Sequence, residues 1–166
     1  MKVNIEIKRS IDIPLPYAQV ETLYTDLEVT IKRFPKLKKL KKLGEMSYLW
    51  EMSTIGSRIA NIAHDVSYAA KYTLDLKKGK LSWVPMPQHG NATIKGEFQI
   101  EEQGPQRTRL SFHVSGELRD VPVPLMYRLI APPFIQGKFT HLVDVFLENT
   151  REALSAAPAK SARKRA

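Results

Sequence analysis

Residues 90–118 read GNATIKGEFQIEEQGPQRTRLSFHVSGEL. Ala92, Ile94, Gly96, Phe98 and Ile100 alternate with Thr93, Lys95, Glu97, Gln99 and Glu101. Beyond Gly104-Pro105, Leu110, Phe112, Val114, Gly116 and Leu118 alternate with Arg109, Ser111, His113, Ser115 and Glu117. A period of two on both sides of a Gly-Pro break predicts a long hairpin with one dry and one wet face. Such a hairpin belongs to an antiparallel sheet covered on one side only.

The segments upstream carry the same signal. Val3, Ile5, Ile7, Ile11 and Ile13 share a face, with Arg9 the one exception, and Pro14 and Pro16 end the strand. Pro16 is placed to open a helix, and Val20, Leu23, Leu27, Ile31 and Phe34 form an amphipathic stripe that Pro35 stops. Residues 37–43, LKKLKKL, repeat Leu every third position, which fits a helical face better than alternation. Tyr48, Trp50 and Met52 then alternate, as do Val66, Tyr68, Ala70, Tyr72 and Leu74. Lys77-Lys78-Gly79-Lys80 reads as a turn before Leu81 and Trp83. The cover is C-terminal: Phe139, Leu142, Val143, Phe146, Thr150 and Leu154 line one stripe of a helix of about five turns, roughly 30 Å long. Pro132-Pro133 separates it from the apolar segment 125–131.

Composition bounds the function. In 166 residues there is no cysteine, which removes disulfides and thiol chemistry and fits a reducing compartment. No segment reaches the roughly 18 apolar residues of a membrane span, and residues 1–14 alternate instead of forming a signal sequence, so a cytoplasmic protein is expected. The formal charge is +9, but it is clustered. Residues 158–166 carry Lys160, Arg163, Lys164 and Arg165 without an acid, and the acid-free stretch between Glu28 and Glu45 carries seven bases. Without the first group the charge falls to +5, and without both the remainder stands at −2. Only Phe34 accompanies the bases as an aromatic, which disfavours nucleic acid. Lys36, Lys38, Lys39, Lys41 and Lys42 are instead candidates for docking on an anionic membrane, and residues 156–166 read as a disordered basic tail.

Catalytic and metal motifs are missing: there is no GxSxG, HExxH, glycine-rich phosphate loop or calcium loop, and His64, His89, His113 and His141 show no metal spacing. No cofactor is expected.

The order of elements, β-α-α-β(5-6)-α, resembles the START/Bet v 1-like (SRPBCC) superfamily, in its polyketide cyclase/dehydrase and lipid-transport branch, which includes coenzyme Q-binding proteins. The resemblance covers residues 3 to about 155. It rests on IDIP with a helix behind it, Asp26 in LYTDLE, YLWEM, GNATIKGEFQIEE followed by RTRLSFHVSGEL, and the closing helix with LENTREAL.

It implies a single α+β helix-grip domain over 1–155, with a curved antiparallel sheet of six to seven strands around the long C-terminal helix and an elongated apolar cavity between them. It also implies that 37–43 is the second strand. The inward-facing residues it implies are Tyr48, Trp50, Met52, Tyr68, Tyr72, Leu81, Trp83, Ile94, Phe98, Leu110, Phe112, Val114, Phe139, Val143 and Phe146. Met126, Ile130 and Phe134 would stand at its mouth, and Arg9, Arg58 and His64 are possible polar groups inside. Large rings alternating with Ala70, Ala92, Gly96 and Gly116 leave uneven space that close packing would ordinarily exclude. The implied function is binding and transport of a hydrophobic small molecule: a lipid, isoprenoid quinone, sterol-like or polycyclic compound. The alternative is a cyclase or dehydratase, although no paired acid and base stand out for it.

Overall fold

The structure, a computed structural model, describes the backbone of residues 1–53, 55–57 and 62–165, and their side chains except at 56, 57, 62, 63 and 157–165. Seven strands form one antiparallel sheet in the order β1-β9-β8-β7-β6-β3-β2. They are β1 (Val3–Ile13), β2 (Leu37–Gly44), β3 (Ser47–Met52), β6 (Ser67–Asp75), β7 (Lys80–Gly90), β8 (Ala92–Gly104) and β9 (Arg107–Leu118). A separate two-stranded hairpin, β4 (Ile55–Ser57) with β5 (Ile62–His64), was not foreshadowed by any alternation. The long helix α3 (Ala131–Arg165) packs on the inner face of the sheet, giving the α+β helix-grip architecture.

The hairpin that decides the fold is the longest pairing. β8 and β9 run in register from Ala92↔Leu118 to Glu102↔Thr108, with Phe98 opposite Phe112. β9 pairs on its other side with β1 over the whole of that strand, from Val3↔Leu118 to Ile13↔Thr108. The predicted turn at Lys77–Lys80 forms around Gly79, whose φ of 63° favours glycine. The buried Tyr24 hydroxyl is shared between the carbonyls of Gly79 (2.8 Å) and Phe98 (3.0 Å), tying this turn to the segment before β2.

The predicted helical stripe over 20–34 is two short helices, α1 (Tyr17–Val20) and α2 (Leu27–Ile31), joined by a 3-10 turn at Glu21–Tyr24. Pro16 precedes α1 in an extended conformation. Asp26 divides the pair by capping α2, its carboxylate accepting from the Val29 N–H at 3.2 Å.

Residues 37–43 are strand. Register shifts between Leu37 and Lys39 and between Lys42 and Gly44 bulge β2 against β3. Each bulge inserts one residue, so the half-buried leucines fall every third position on a β backbone. The helical periodicity was a strand with two bulges. β2 is an edge of the sheet, and Lys38, Lys39, Lys41 and Lys42 are exposed along it, the placement by which proteins prevent edge-to-edge pairing. At the opposite edge, the Gln136 side chain of α3 pairs with both backbone groups of Glu6, accepting from its N–H at 3.0 Å and donating to its carbonyl.

α3 begins at Ala131, with Pro132 and Pro133 in its first turn, where the missing N–H groups have no intrahelical partner to lose. It buries Ile135, Phe139, Leu142, Val143, Phe146, Leu147, Thr150 and Leu154. Leu154 is the last buried side chain among the described residues. The helical backbone continues to Arg165, through the segment read from sequence as an unstructured tail, where Ala, Lys and Arg supply helix propensity without an apolar stripe.

Leu147→Ala should lower unfolding free energy by about 2–5 kcal/mol, because its fully buried side chain would leave a cavity at the helix–sheet contact. Urea denaturation followed by far-UV circular dichroism measures this.

Candidate functional site

Between sheet and helix lies an apolar cavity of about 50 Å³. Its wall is drawn from β1 (Ile5, Ile7), α2 and the turn after it (Leu27, Thr30, Ile31, Phe34), and β3 (Trp50, Met52). β6 adds Tyr68 and Tyr72, β7 Leu81 and Trp83, β8 Ile94 and Phe98, β9 Phe112 and Val114, and α3 Phe139, Val143 and Phe146. Each strand contributes residues two apart because only alternate side chains face inward. The volume admits a few water-sized bodies, against the several hundred Å³ of a typical ligand site.

The rings explain the small volume. Gly96 was expected to leave space, but Trp83 fills it: a Cβ at Gly96 would lie 2.5 Å from the indole Cζ2. From Trp83 the rings continue to Phe112 at 5.7 Å, Phe146 at 5.7 Å, Phe34 at 5.4 Å and Trp50 at 5.5 Å between centroids. Trp50 Nε1 donates to the Tyr72 hydroxyl at 2.9 Å, and Tyr72 lies 5.5 Å from Trp83. Six aromatic side chains therefore form a closed circuit around the cavity. Tyr68 stacks on Trp50 at 5.2 Å.

Among the described residues the wall has no carboxylate, imidazole, guanidinium or amine. Its hydroxyls belong to Thr30, Tyr68 and Tyr72. Thr30 is committed to the Leu23 carbonyl. Burial raises the pKa of both Tyr68 and Tyr72, so each keeps its phenolic proton at ordinary pH. Tyr72 accepts from Trp50, and among the described residues neither phenol donates to a protein acceptor. Both protons are available to an oxygen of a bound molecule.

Of the residues implied by sequence, Trp50, Met52, Tyr68, Tyr72, Leu81, Trp83, Ile94, Phe98, Phe112, Val114, Phe139, Val143 and Phe146 come together on the wall, while Leu110 is buried away from it. Tyr48 does not. It is buried edge-on to Tyr72 at 6.0 Å, and its hydroxyl faces Glu28, so burial and that carboxylate raise its pKa. Met126 and Ile130 are 78% and 54% exposed, and Phe134 is half-buried with Lys138 Nζ 5.3 Å from its ring centre; none touches the cavity. Arg9 shares the phase of the apolar face but lies on the edge strand, where it reaches past the sheet to pair with Asp144 of α3 at 3.0 Å. His64 is half-buried at the end of β5, near the Arg119 backbone, Asp65 and Asp120, and away from the wall. Arg58 lies outside the described residues. Ile5, Ile7, Leu27, Thr30, Ile31 and Phe34 are wall residues beyond the implied set. For all but Thr30 an inward face was present in the sequence, in the alternation of β1 and the stripe of α2.

The structure is similar to many solved ones. A protein from Thermus thermophilus superposes with a TM-score of 0.69 at 17% identity, over 92% of this chain and 98% of that one. The Zhui aromatase/cyclase from Streptomyces gives 0.69 at 11% identity, over 92% and 94%. A START superfamily protein from Mycobacterium smegmatis gives 0.64 at 11%, over 90% and 97%. The chain has the START/Bet v 1-like helix-grip fold. No family model and no curated protein matches the helix-grip chain in sequence. Among its described residues no helix is long and apolar enough to cross a membrane.

Replacing Tyr72 with Phe should cost about 1–3 kcal/mol, because the Trp50 N–H is left buried without an acceptor. A thermodynamic cycle with Trp50→Phe should show positive coupling between the two, read by chemical denaturation. A second expectation concerns pH. Burial holds the His64 imidazole below its ordinary value of 6.5, so the unfolded chain takes up this proton first. Its contribution is complete above pH 6.5 and is lost as pH falls from there through the folded-state pKa. His64→Gln should flatten the dependence of melting temperature on pH in that window.

Proposed function

We propose that this protein binds a hydrophobic small molecule between the sheet and α3 and carries it: a lipid, isoprenoid quinone, sterol-like or polycyclic compound. The observation that carries the reading is the wall itself, apolar and aromatic around two phenols with protons to donate. Removing apolar ligand surface from water is favourable by about 25 cal/mol per Å², and no charged group on the described wall must be desolvated for it. A carbonyl, ether or hydroxyl oxygen on the ligand would accept from Tyr68 or Tyr72 and fix its orientation.

The small volume requires the rings to part when a ligand enters. Edge-to-face contacts worth about 0.5–1.5 kcal/mol each are exchanged for contacts with the ligand. A flat or flexible apolar ligand can restore them, whereas a highly polar one cannot. The lysines along β2 would add a salt-sensitive attraction to an anionic lipid surface during transfer.

A second reading, cyclisation or dehydration of a bound polyketide-like chain, has one observation in its favour, the fold shared with the Zhui aromatase/cyclase. On the described wall its proton transfers would fall to Tyr68 and Tyr72.

Native mass spectrometry of the purified full chain should show a co-purified hydrophobe. Val143→Phe, which puts a ring into the cavity, should reduce its retention at least about tenfold, or 1.4 kcal/mol. A chain that carries nothing and takes up no lipophilic probe would overturn the carrier reading. Turnover of a poly-β-keto substrate mimic that disappears in Tyr68→Phe, with binding retained, would decide for the cyclase.

A further inference from the structure

Seven large apolar side chains are half-exposed or more among the described residues. Val29, Leu76 and Val84 are scattered, but four stand within six positions: Leu125 (80%), Met126 (78%), Leu129 (92%) and Ile130 (54%). Single exposed apolar residues are ordinary, whereas a contiguous set marks a surface that meets something apolar. These four occupy the segment between β9 and α3, framed by Pro122 and Pro124 on one side and Pro132 and Pro133 on the other. The segment is anchored, since Val123, Tyr127 and Phe134 pack against the core.

Three features give the partner's chemistry. The backbone of the segment is folded on itself: Tyr127 N–H donates to Pro124, Arg128 to Leu125, Ile130 to Tyr127 and Phe134 to Ile130, at 2.9–3.3 Å. Four backbone N–H groups thus find acceptors within the segment, which lowers the cost of entering a water-poor phase. Charge is the second feature. No acidic residue occurs between Asp120 and Asp144, while Arg128 sits amid the four apolar side chains and Lys138 follows one turn beyond Phe134. The third is shape. At 92% exposure Leu129 projects, and a projecting aliphatic tip with a cation beside it suits a fluid bilayer better than a flat protein face.

We propose that residues 125–130 form a membrane-insertion tip. The four aliphatic side chains enter the acyl boundary of an anionic bilayer, while Arg128 and Lys138 remain among the headgroup phosphates. The tip leads directly into α3, whose Phe139 is on the cavity wall. The contact differs from one made by the lysines of β2, because insertion of apolar groups persists when salt screens charge. It does not rest on the identity of a cavity ligand.

The test is sedimentation of the full chain with vesicles of phosphatidylcholine doped with phosphatidylglycerol, at low and high salt. Binding should be retained in part at high salt. The double variant Met126→Ser/Leu129→Ser should bind at least about tenfold more weakly, with an unchanged melting temperature because both side chains are exposed. Val84→Ser, which removes an isolated exposed side chain, should bind as the parent does. In the otherwise unaltered chain, Leu129→Trp should be quenched by brominated acyl chains. The proposal is overturned if the parent chain ignores these vesicles, or if the double variant binds them undiminished, which would leave the contact to the lysines. It also fails if the double variant changes only the protein's own sedimentation mass, which would make the patch a contact between copies.

Discussion

The indole N–H of Trp50 and the hydroxyl of Tyr72 close the only polar link in a circuit of otherwise apolar ring contacts around the cavity. Through it, β3 and β6 are joined to β7 and β9 by Trp83 and Phe112, and to α3 by Phe146 and Phe34. The link has a direction. Trp50 has one donor and Tyr72 accepts it, so the phenolic proton of Tyr72 is left for another acceptor. A buried N–H needs a partner wherever it stands, and here the partner is also one of the two phenols of the wall.

A wall built of rings is compact at rest and changes volume in large steps. Each ring is flat and rotates about two torsions, so parting one pair opens a slot the size of a ring. On the proposed carrier reading, the small volume is compatible with a ligand much larger than the cavity, provided that the ligand replaces the ring contacts it displaces. That condition would favour apolar ligands with flat or extended shapes. It also explains the roles of Gly96 and Trp83. Glycine in the middle of a strand weakens it, and the indole lying over Gly96 covers the gap, so the two residues act as one packing unit.

Alternation along the chain reveals the sheet because a half-buried strand shows its two faces in its residue order. The same rule has a limit at the edges. It assigns a face without assigning depth, so Arg9 reads as inward although an edge strand lets its side chain reach Asp144. His64 and Tyr48 failed for the same reason, being in phase with cavity residues but at the ends of their strands. The LKKLKKL segment misled differently, since two bulges turned a period of two into a period of three. Gly96 was misread as space because sequence does not show which cross-strand neighbour leans over a glycine. The hairpin β4–β5 and the contributions of Thr30 and Ile5 needed the tertiary structure, which brings α2 and β1 to the same cavity.

The charge of the molecule follows from how the sheet is finished. An open sheet has two edges, and each must be protected from pairing with another chain. On β1 the Gln136 amide pairs with both backbone groups of Glu6, whereas β2 carries exposed lysines along its edge. Several charges on the strands are paired: Asp12 lies 3.0 Å from Arg109 and 3.7 Å from Arg107, and Lys80 lies 2.8 Å from Glu97. Arg109 in particular holds the Asp12 carboxyl below its ordinary pKa. The excess of positive charge is thus concentrated where edge protection calls for it and at the far end of α3. The acid-free segment between β9 and α3 is different. It protects no edge and pairs no strand, yet it keeps its aliphatic side chains in water beside a cation. Folding alone gives no reason for that arrangement, since apolar groups left exposed contribute nothing to the core, and a bilayer surface supplies the reason that folding does not.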